Sequence, residues 1–234
     1  MMPDAVIVTG ASAGIGRATA ADFIASDSKV ANVSRRSCGL EGAVDILADM
    51  SKPDWLLSAA PQLTEFISGQ RTICIVHNAA VLHSEELSRA SLDDLRDSFE
   101  LNVTAALALN QFLLPHMKPG SSIIYIGSTL SEKAVKAALP YIVSKHAVVG
   151  LMRATCQDLA GKSIHTACIC PGFTDTEMLR LHIPDAEVRT ELGTANAFGR
   201  LIEPEEIAVT IKFCAENAVI NGAVIHANLG QIER

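Results

Sequence analysis

The sequence has no stretch of eighteen or more uncharged apolar residues, so no membrane-spanning helix is indicated. It also lacks a Pro/Gly/Ser-rich linker, a charge block, an internal repeat and any low-complexity segment, and its 234 residues read as one domain. Cys38, Cys74, Cys156, Cys168, Cys170 and Cys214 show no zinc-type spacing, and the seven histidines form no H-E-x-x-H arrangement, which leaves metal catalysis without support. Cys168 and Cys170 fall in a predicted strand, where their side chains are expected on opposite faces. No secretory leader is recognisable at Met1, so reduced thiols and a cytoplasmic setting are expected. Basic residues are scattered, and 19 of them against 26 acidic ones give a formal net charge of −7, which argues against nucleic acid as a partner.

What is present is apolar material, 49% of residues against 19% charged, enough to cover a sheet on both faces. Short apolar runs at residues 4–10, 29–34, 45–49, 72–77, 122–127, 164–170 and 223–226 read as strands. Helical patterns at 17–25, 53–68, 91–114, from 141 onward, and at 205–218 fall between them, the third begun by a capping-type Ser91-Leu-Asp-Asp94. Strands alternating with helices imply an α/β fold, a doubly wound, mostly parallel, Rossmann-like sheet with ligands at the carboxyl ends of its strands. Residues 176–200 fit no strand and read as a lid over substrate. Their apolar residues Met178, Leu179, Leu181, Ile183 and Leu192 face either a substrate or the fold.

Two motifs carry chemistry. The run at residues 4–10 breaks into Gly10-Ala-Ser-Ala-Gly14-Ile-Gly16 and then a helix, the arrangement that aims helix N-terminal amides at a pyrophosphate. No Lys-Ser/Thr follows the last glycine, so a phosphate-loop NTPase is disfavoured. In the second motif, Ser128 ends a buried strand, Tyr141 follows Pro140 at a helix start, and Lys145 lies one turn on, on the same helix face. A phenol keeps its proton until about pH 10, so acid–base work near neutrality calls for a fixed positive charge beside it, which Lys145 supplies.

Thr9-Gly10-Ala-Ser-Ala-Gly14-Ile-Gly16, Asn78-Ala-Ala80, Asn102, Ser128, Tyr141, Lys145 and Pro171-Gly172 together resemble the short-chain dehydrogenases/reductases, in the family's order over nearly the whole chain. The resemblance implies nicotinamide-dependent hydride transfer, with Tyr141 as the acid, Lys145 lowering its pKa and holding the nicotinamide ribose, Ser128 binding the substrate oxygen, and Asn102 holding a water. It also implies cofactor contacts at Gly10, Ser12, Gly14, Ile15 and Gly16, at Asp49 and Met50 (adenine), at Asn78 and Ala79 (adenine ribose side), and at Pro171, Gly172, Thr174 and Thr176 (nicotinamide carboxamide). Where NAD binders place Asp or Glu, this chain has Ser34-Arg35-Arg36, which favours NADP(H) over NAD(H) because a guanidinium can grip a 2′-phosphate that a carboxylate would repel. The other reading of Arg35 and Arg36 is a solvated loop pair. Ala13 stands where many NADP-preferring relatives carry Arg or Lys, Ala80 adds a methyl where backbone normally approaches closely, and the path from Arg36 to Asp49 is too short for the usual helix.

The reading is therefore an NADPH-dependent reductase of a small-molecule ketone or aldehyde. Its rivals are an NAD-dependent alcohol dehydrogenase and a non-catalytic NADP-sensing binding protein. By the same resemblance, the helices around Asn102–Leu114 and Tyr141 are expected to pair copies into a homodimer or homotetramer through residues 105–109 and 148–152, unless those faces are used against the sheet.

Overall fold

The computed structural model describes residues 2–232. Each apolar run becomes a strand: β1 (Ala5–Thr9), β2 (Lys29–Ser34), β3 (Ala43–Leu47), β4 (Ile73–His77), β5 (Ser122–Ile126), β6 (His165–Pro171) and β7 (Ala223–Ala227). All neighbouring pairs are parallel, in the order β3-β2-β1-β4-β5-β6-β7. The chain runs outward from β1 to β3 and returns to β4 on the other side of β1. The crevice at the carboxyl ends of β1 and β4 is thus the switch point where such sheets bind ligands.

Alternation sorts side chains to two cores. Ala5 and Ile7 of β1 face one side, with α2 (Trp55–Ile67), α4 (Ala105–Leu113) and α5 (Leu139–Asp158). Val6 and Val8 face the other, with α1 (Gly14–Ile24) and α8 (Pro204–Glu216). Among the described residues no helix is long and apolar enough to cross a membrane.

Four expectations change. The predicted helix over 91–114 is split into α3 (Leu92–Phe99), a π-helical turn at Glu100–Thr104 carrying Asn102, and α4; its cap holds, with Ser91 Oγ accepting from Asp93 N at 3.1 Å. The segment expected as a lid forms two short helices, α6 (Glu177–His182) and α7 (Ala186–Gly193), hung on a base where Asp175 N donates to the Ile202 carbonyl and Ile202 N to the Phe173 carbonyl, both at 2.9 Å. Ala105, Ala106, Leu109, Val148, Val149 and Met152, offered as an oligomer face, are spent on the sheet. Finally, Cys168 and Cys170 share a face and a core, because residues two apart on a strand point the same way.

A buried polar network crosses this core. The Asn110 amide donates to the Tyr125 hydroxyl (2.7 Å), which meets Thr155 Oγ1 (3.1 Å), while Asn110 Oδ1 meets His77 Nε2 (2.8 Å). Tyr125 is fully buried, so the network tethers β4 and β5 to α4 and α5 with its polar groups satisfied. Tyr125→Phe strands the Asn110 donor and is expected to lower unfolding free energy by about 1–3 kcal/mol in a denaturant titration.

Acid sensitivity follows from the same network. Burial pulls His77 from an ordinary 6.5 down to about 4, and burial lowers His165 as well. The unfolded chain then binds more protons than the folded one as pH falls from 6.5 towards 4, so stability should decline through that window. Thermal unfolding of His77→Asn should show a shallower decline than the wild type, and an identical pH slope would contradict the assignment.

Candidate active site

At the end of β5, Gly127 and Ser128 carry the chain over the carboxyl edge of the sheet. A Cβ on Gly127 would lie 2.8 Å from Ser131 Oγ and 2.9 Å from the sulfurs of Cys168 and Cys170, so nothing larger than hydrogen fits. Ser128 Oγ accepts from Leu130 N and Ser131 Oγ accepts from Ser128 N, each at 3.1 Å, which fixes the serine as the cap of a short turn. Pro140 lies in the first turn of α5, and Tyr141 and Lys145 follow on one face. Lys145 is 3% exposed, its Nζ donating to the Ile126 carbonyl at 2.8 Å and standing 5.6 Å from the centre of the Tyr141 ring. The Ser128 hydroxyl lies close enough to the Tyr141 phenol to favour its ionised form. Strand end and helix head thus bring the serine, phenol and ammonium together.

Asn102 is placed beside them as a brace. Its amide donates to the Val81 carbonyl (3.1 Å) and to Ser144 Oγ (2.9 Å), and its Oδ1 accepts from Val81 N (2.8 Å). Both amide hydrogens are spent on protein acceptors, so the side chain is not set to donate to a water, as expected above. Ser144 Oγ donates in turn to the Tyr141 carbonyl at 2.8 Å, and Asn102 thereby steadies the head of α5.

The glycine turn is clamped from β4. Thr9 Oγ1 accepts from Asn78 N and Ala79 N, each at 3.0 Å, and the Asn78 amide donates to the carbonyls of Thr9 (3.0 Å) and Gly10 (3.1 Å). Asn78 is thus spent on shaping the turn, with no amide hydrogen left for an adenine ribose. Gly10 has φ +72°, and a Cβ there would lie 2.9 Å from Ala79 Cα; at Gly16 one would lie 2.4 Å from Asn78 Nδ2. Ala13, at the N-terminus of α1, provides no side-chain cap, and the first turn holds no acid, so its amides stay open to an anion. Ser12 is half-buried on this turn, and Ile15 packs behind it on the α1–α8 core.

On the far side of the crevice the two arginines are exposed and diverge. Arg35 lies close enough to help hold the Asp49 carboxyl low, though the Ser51 hydroxyl does more. Arg36 Nη2 meets Glu177 Oε2 of α6 at 3.2 Å. Met50 is buried behind them. Beyond β6, Gly172 N is tied to the Ala227 carbonyl at 3.1 Å, following the buried Pro171. Of the two threonines expected on a carboxamide, Thr174 is buried with its hydroxyl donating to the Gly172 carbonyl (3.1 Å). Thr176 caps α6 through Leu179 N (3.2 Å), and its methyl would lie 3.0 Å from a Cβ on Gly14.

A family model described as short chain dehydrogenase matches residues 4–186. The chain belongs to the short-chain dehydrogenase family. It is 28% identical over 236 residues to the 3-oxoacyl-(acyl-carrier-protein) reductase FabG of Vibrio cholerae, covering 96% of this chain and 95% of that protein. Its fold matches the aldohexose dehydrogenase of Thermoplasma acidophilum with a TM-score of 0.90 at 27% identity, covering 97% of this chain and 93% of the other. It also matches the angucycline C-6 ketoreductase LanV, solved with bound NADP, with a TM-score of 0.86 at 26% identity over 97% and 95% of the two chains. The molecule is accordingly an NAD(P)-dependent oxidoreductase.

Within this dehydrogenase the phenol departs from expectation. Burial pushes Tyr141 up to about 12, with the Ser128 hydroxyl opposing the rise. Burial brings Lys145 down to about 8, opposed by the nearby Cys168 and Cys170. Desolvation outweighs the stabilisation that the ammonium was expected to give the phenolate, and the resting phenol keeps its proton. Sequence reading also passed over Asn32 and Asp45, whose signal was available: two polar residues inside strands, found in register on β2 and β3.

The protein has two tyrosines, and Tyr125 is likewise pushed up to about 12, so tyrosinate absorbance is a clean probe. The cofactor-free protein should show no tyrosinate up to about pH 10. A titration below pH 9 that vanishes in Tyr141→Phe would contradict the buried, protonated phenol.

Proposed function

We propose that this protein reduces a ketone or aldehyde to an alcohol with NADPH, using Tyr141 as general acid. The observation that carries the reading is the meeting of Ser128, Tyr141 and the buried Lys145 at the carboxyl edge of β5. The uncapped first turn of α1 and the clamped glycine turn suit a pyrophosphate, and the exposed Arg35 and Arg36 suit a 2′-phosphate, with no carboxylate at the end of β2 to repel it. The ketoreductase LanV, with bound NADP, and the reductase FabG support the same class.

The nicotinamide cofactor supplies the hydride. Tyr141 Oη gives its proton to the substrate oxygen, and Ser128 Oγ donates a hydrogen bond to the same oxygen, stabilising the charge that grows there. Lys145 offsets the charge left on the phenolate oxygen, and its two remaining N–H donors are available to ribose hydroxyls. Asn102 and Ser144 hold the head of α5 so that the phenol and serine stay aligned. Residues 176–200 serve as the lid, closing over a small-molecule substrate in a chain that acts in the cytoplasm. Copies pair through outward residues of α4 and α5 such as Leu107 and Val143, which light scattering would detect as a dimer or tetramer.

The test is a panel of carbonyl compounds followed by NADPH oxidation, with NADH as comparison. Tyr141→Phe should bind NADPH with near-wild-type affinity by fluorescence titration and lose turnover by about 10²–10⁴-fold. Turnover close to wild type in that variant would end the general-acid assignment, and no turnover of the wild type on any carbonyl would return the sensing reading.

A further inference from the structure

The link from β2 to β3 is short and has no helix to stiffen it, yet it carries both arginines that the NADPH reading needs. Its order comes from one buried side chain. Asn32 has no exposed surface, and an amide in such a place is costly unless its hydrogen bonds are made. Here they are. Oδ1 accepts from Ala11 N of the glycine turn at 3.0 Å, and Nδ2 donates to the Arg36 carbonyl at 3.0 Å and to Asp45 Oδ1 at 2.8 Å.

Asp45, opposite Asn32 in register, extends the hold. Its carboxylate accepts from Cys38 N at 3.0 Å and from the Ser37 hydroxyl. Although burial raises it, the bonds from Ser37, Asn32 and Cys38 bring this carboxyl down to about 2. Ser34 Oγ adds a second bond to the Arg36 carbonyl at 2.6 Å, and Arg17 Nε reaches from α1 to the Cys38 carbonyl at 3.1 Å. The backbone from Arg36 to Cys38 is therefore tied on several sides, while both guanidinium groups are exposed and that of Arg36 meets Glu177 of α6.

We infer that Asn32 and Asp45 are positioning residues that hold the Arg35–Arg36 segment ready for a 2′-phosphate and so set the preference for the phosphorylated dinucleotide. The inference rests on the NADPH reading above. A loop ordered before binding loses less freedom when its arginines engage a phosphate, so the pair contributes to affinity without touching the ligand. Asn32 further joins this segment to the glycine turn, coupling the 2′-phosphate grip to the pyrophosphate cradle through one amide. Asp45 bonds Asn32 and the Ser37–Cys38 segment but not the glycine turn, so its loss should fall mainly on the arginine side.

Calorimetric titration with adenosine 2′,5′-bisphosphate and with 5′-AMP reads the preference without catalysis. In Asp45→Ala the bisphosphate should weaken by about tenfold and 5′-AMP by less than about threefold, and Asp45→Asn, which keeps an acceptor for Asn32 and Cys38, should recover most of the loss. Asn32→Leu should weaken both ligands, the bisphosphate more. Circular dichroism confirms folding, and because Asp45 sits on the half-buried edge strand its variants remain informative if Asn32→Leu does not fold. A wild-type preference for the bisphosphate that survives unchanged in Asp45→Ala, or equal weakening of both ligands there, overturns the positioning role alone. Equal affinity of the wild type for both ligands overturns the NADPH reading itself.

Discussion

The hydrogen bond from Lys145 Nζ to the Ile126 carbonyl is the junction on which the site is built. It ties α5 to the last residue of β5, and Ser128 begins the turn two residues later, so one contact sets the distance between the serine and the Tyr141–Lys145 face. The arrangement carries an electrostatic cost. An ammonium that is 3% exposed is disfavoured by desolvation, which brings it down to about 8, and among the described residues it donates to one acceptor, the Ile126 carbonyl. A charge held this way lies beneath the phenol and is poorly screened by water, where its field on any negative charge formed at Tyr141 is strongest.

The glycine turn shows the same economy of parts. Asn78, just past β4, donates to both the hydroxyl and the carbonyl of Thr9 on β1 at the point where the sheet changes direction, and the absence of a Cβ at Gly10 and Gly16 allows the two segments to touch. Asn78 therefore acts through the turn's shape. Asn32 reaches the same turn from β2, so three neighbouring strands fix the backbone of the glycine turn. Glu177 joins α6 to this network through Arg36, where an exposed ion pair is worth little and yields easily to a stronger anion.

Much of this was legible in the sequence because apolar periodicity and glycine, proline and serine punctuation are local. The strands, the order of elements and the spacing of Ser128, Tyr141 and Lys145 all follow from such signals. What escaped is tertiary. The π-helical turn at Asn102 shifts hydrogen-bond partners without changing apolar pattern. The outward or inward fate of Ala105–Leu109 depends on which of two apolar faces meets the sheet, and composition does not distinguish them. The state of the phenol depends on how completely its neighbours exclude water, which no spacing encodes. The sharing of a face by Cys168 and Cys170 was by contrast readable from strand geometry alone.

A phenol that holds its proton tightly bears on the proton transfer. During reduction the substrate oxygen develops towards an alkoxide, whose conjugate acid lies near the ~15.7 of water. A donor at about 12 still passes its proton downhill to such a base, and Ser128 and Lys145 stabilise the phenolate that remains. In the reverse direction the same oxygen takes the proton back, and any group that stabilises the phenolate acts on both directions alike. A protonated phenol is the form that a general acid needs, and the half-buried Tyr141 stands with Ser128 and Lys145 on either side of it.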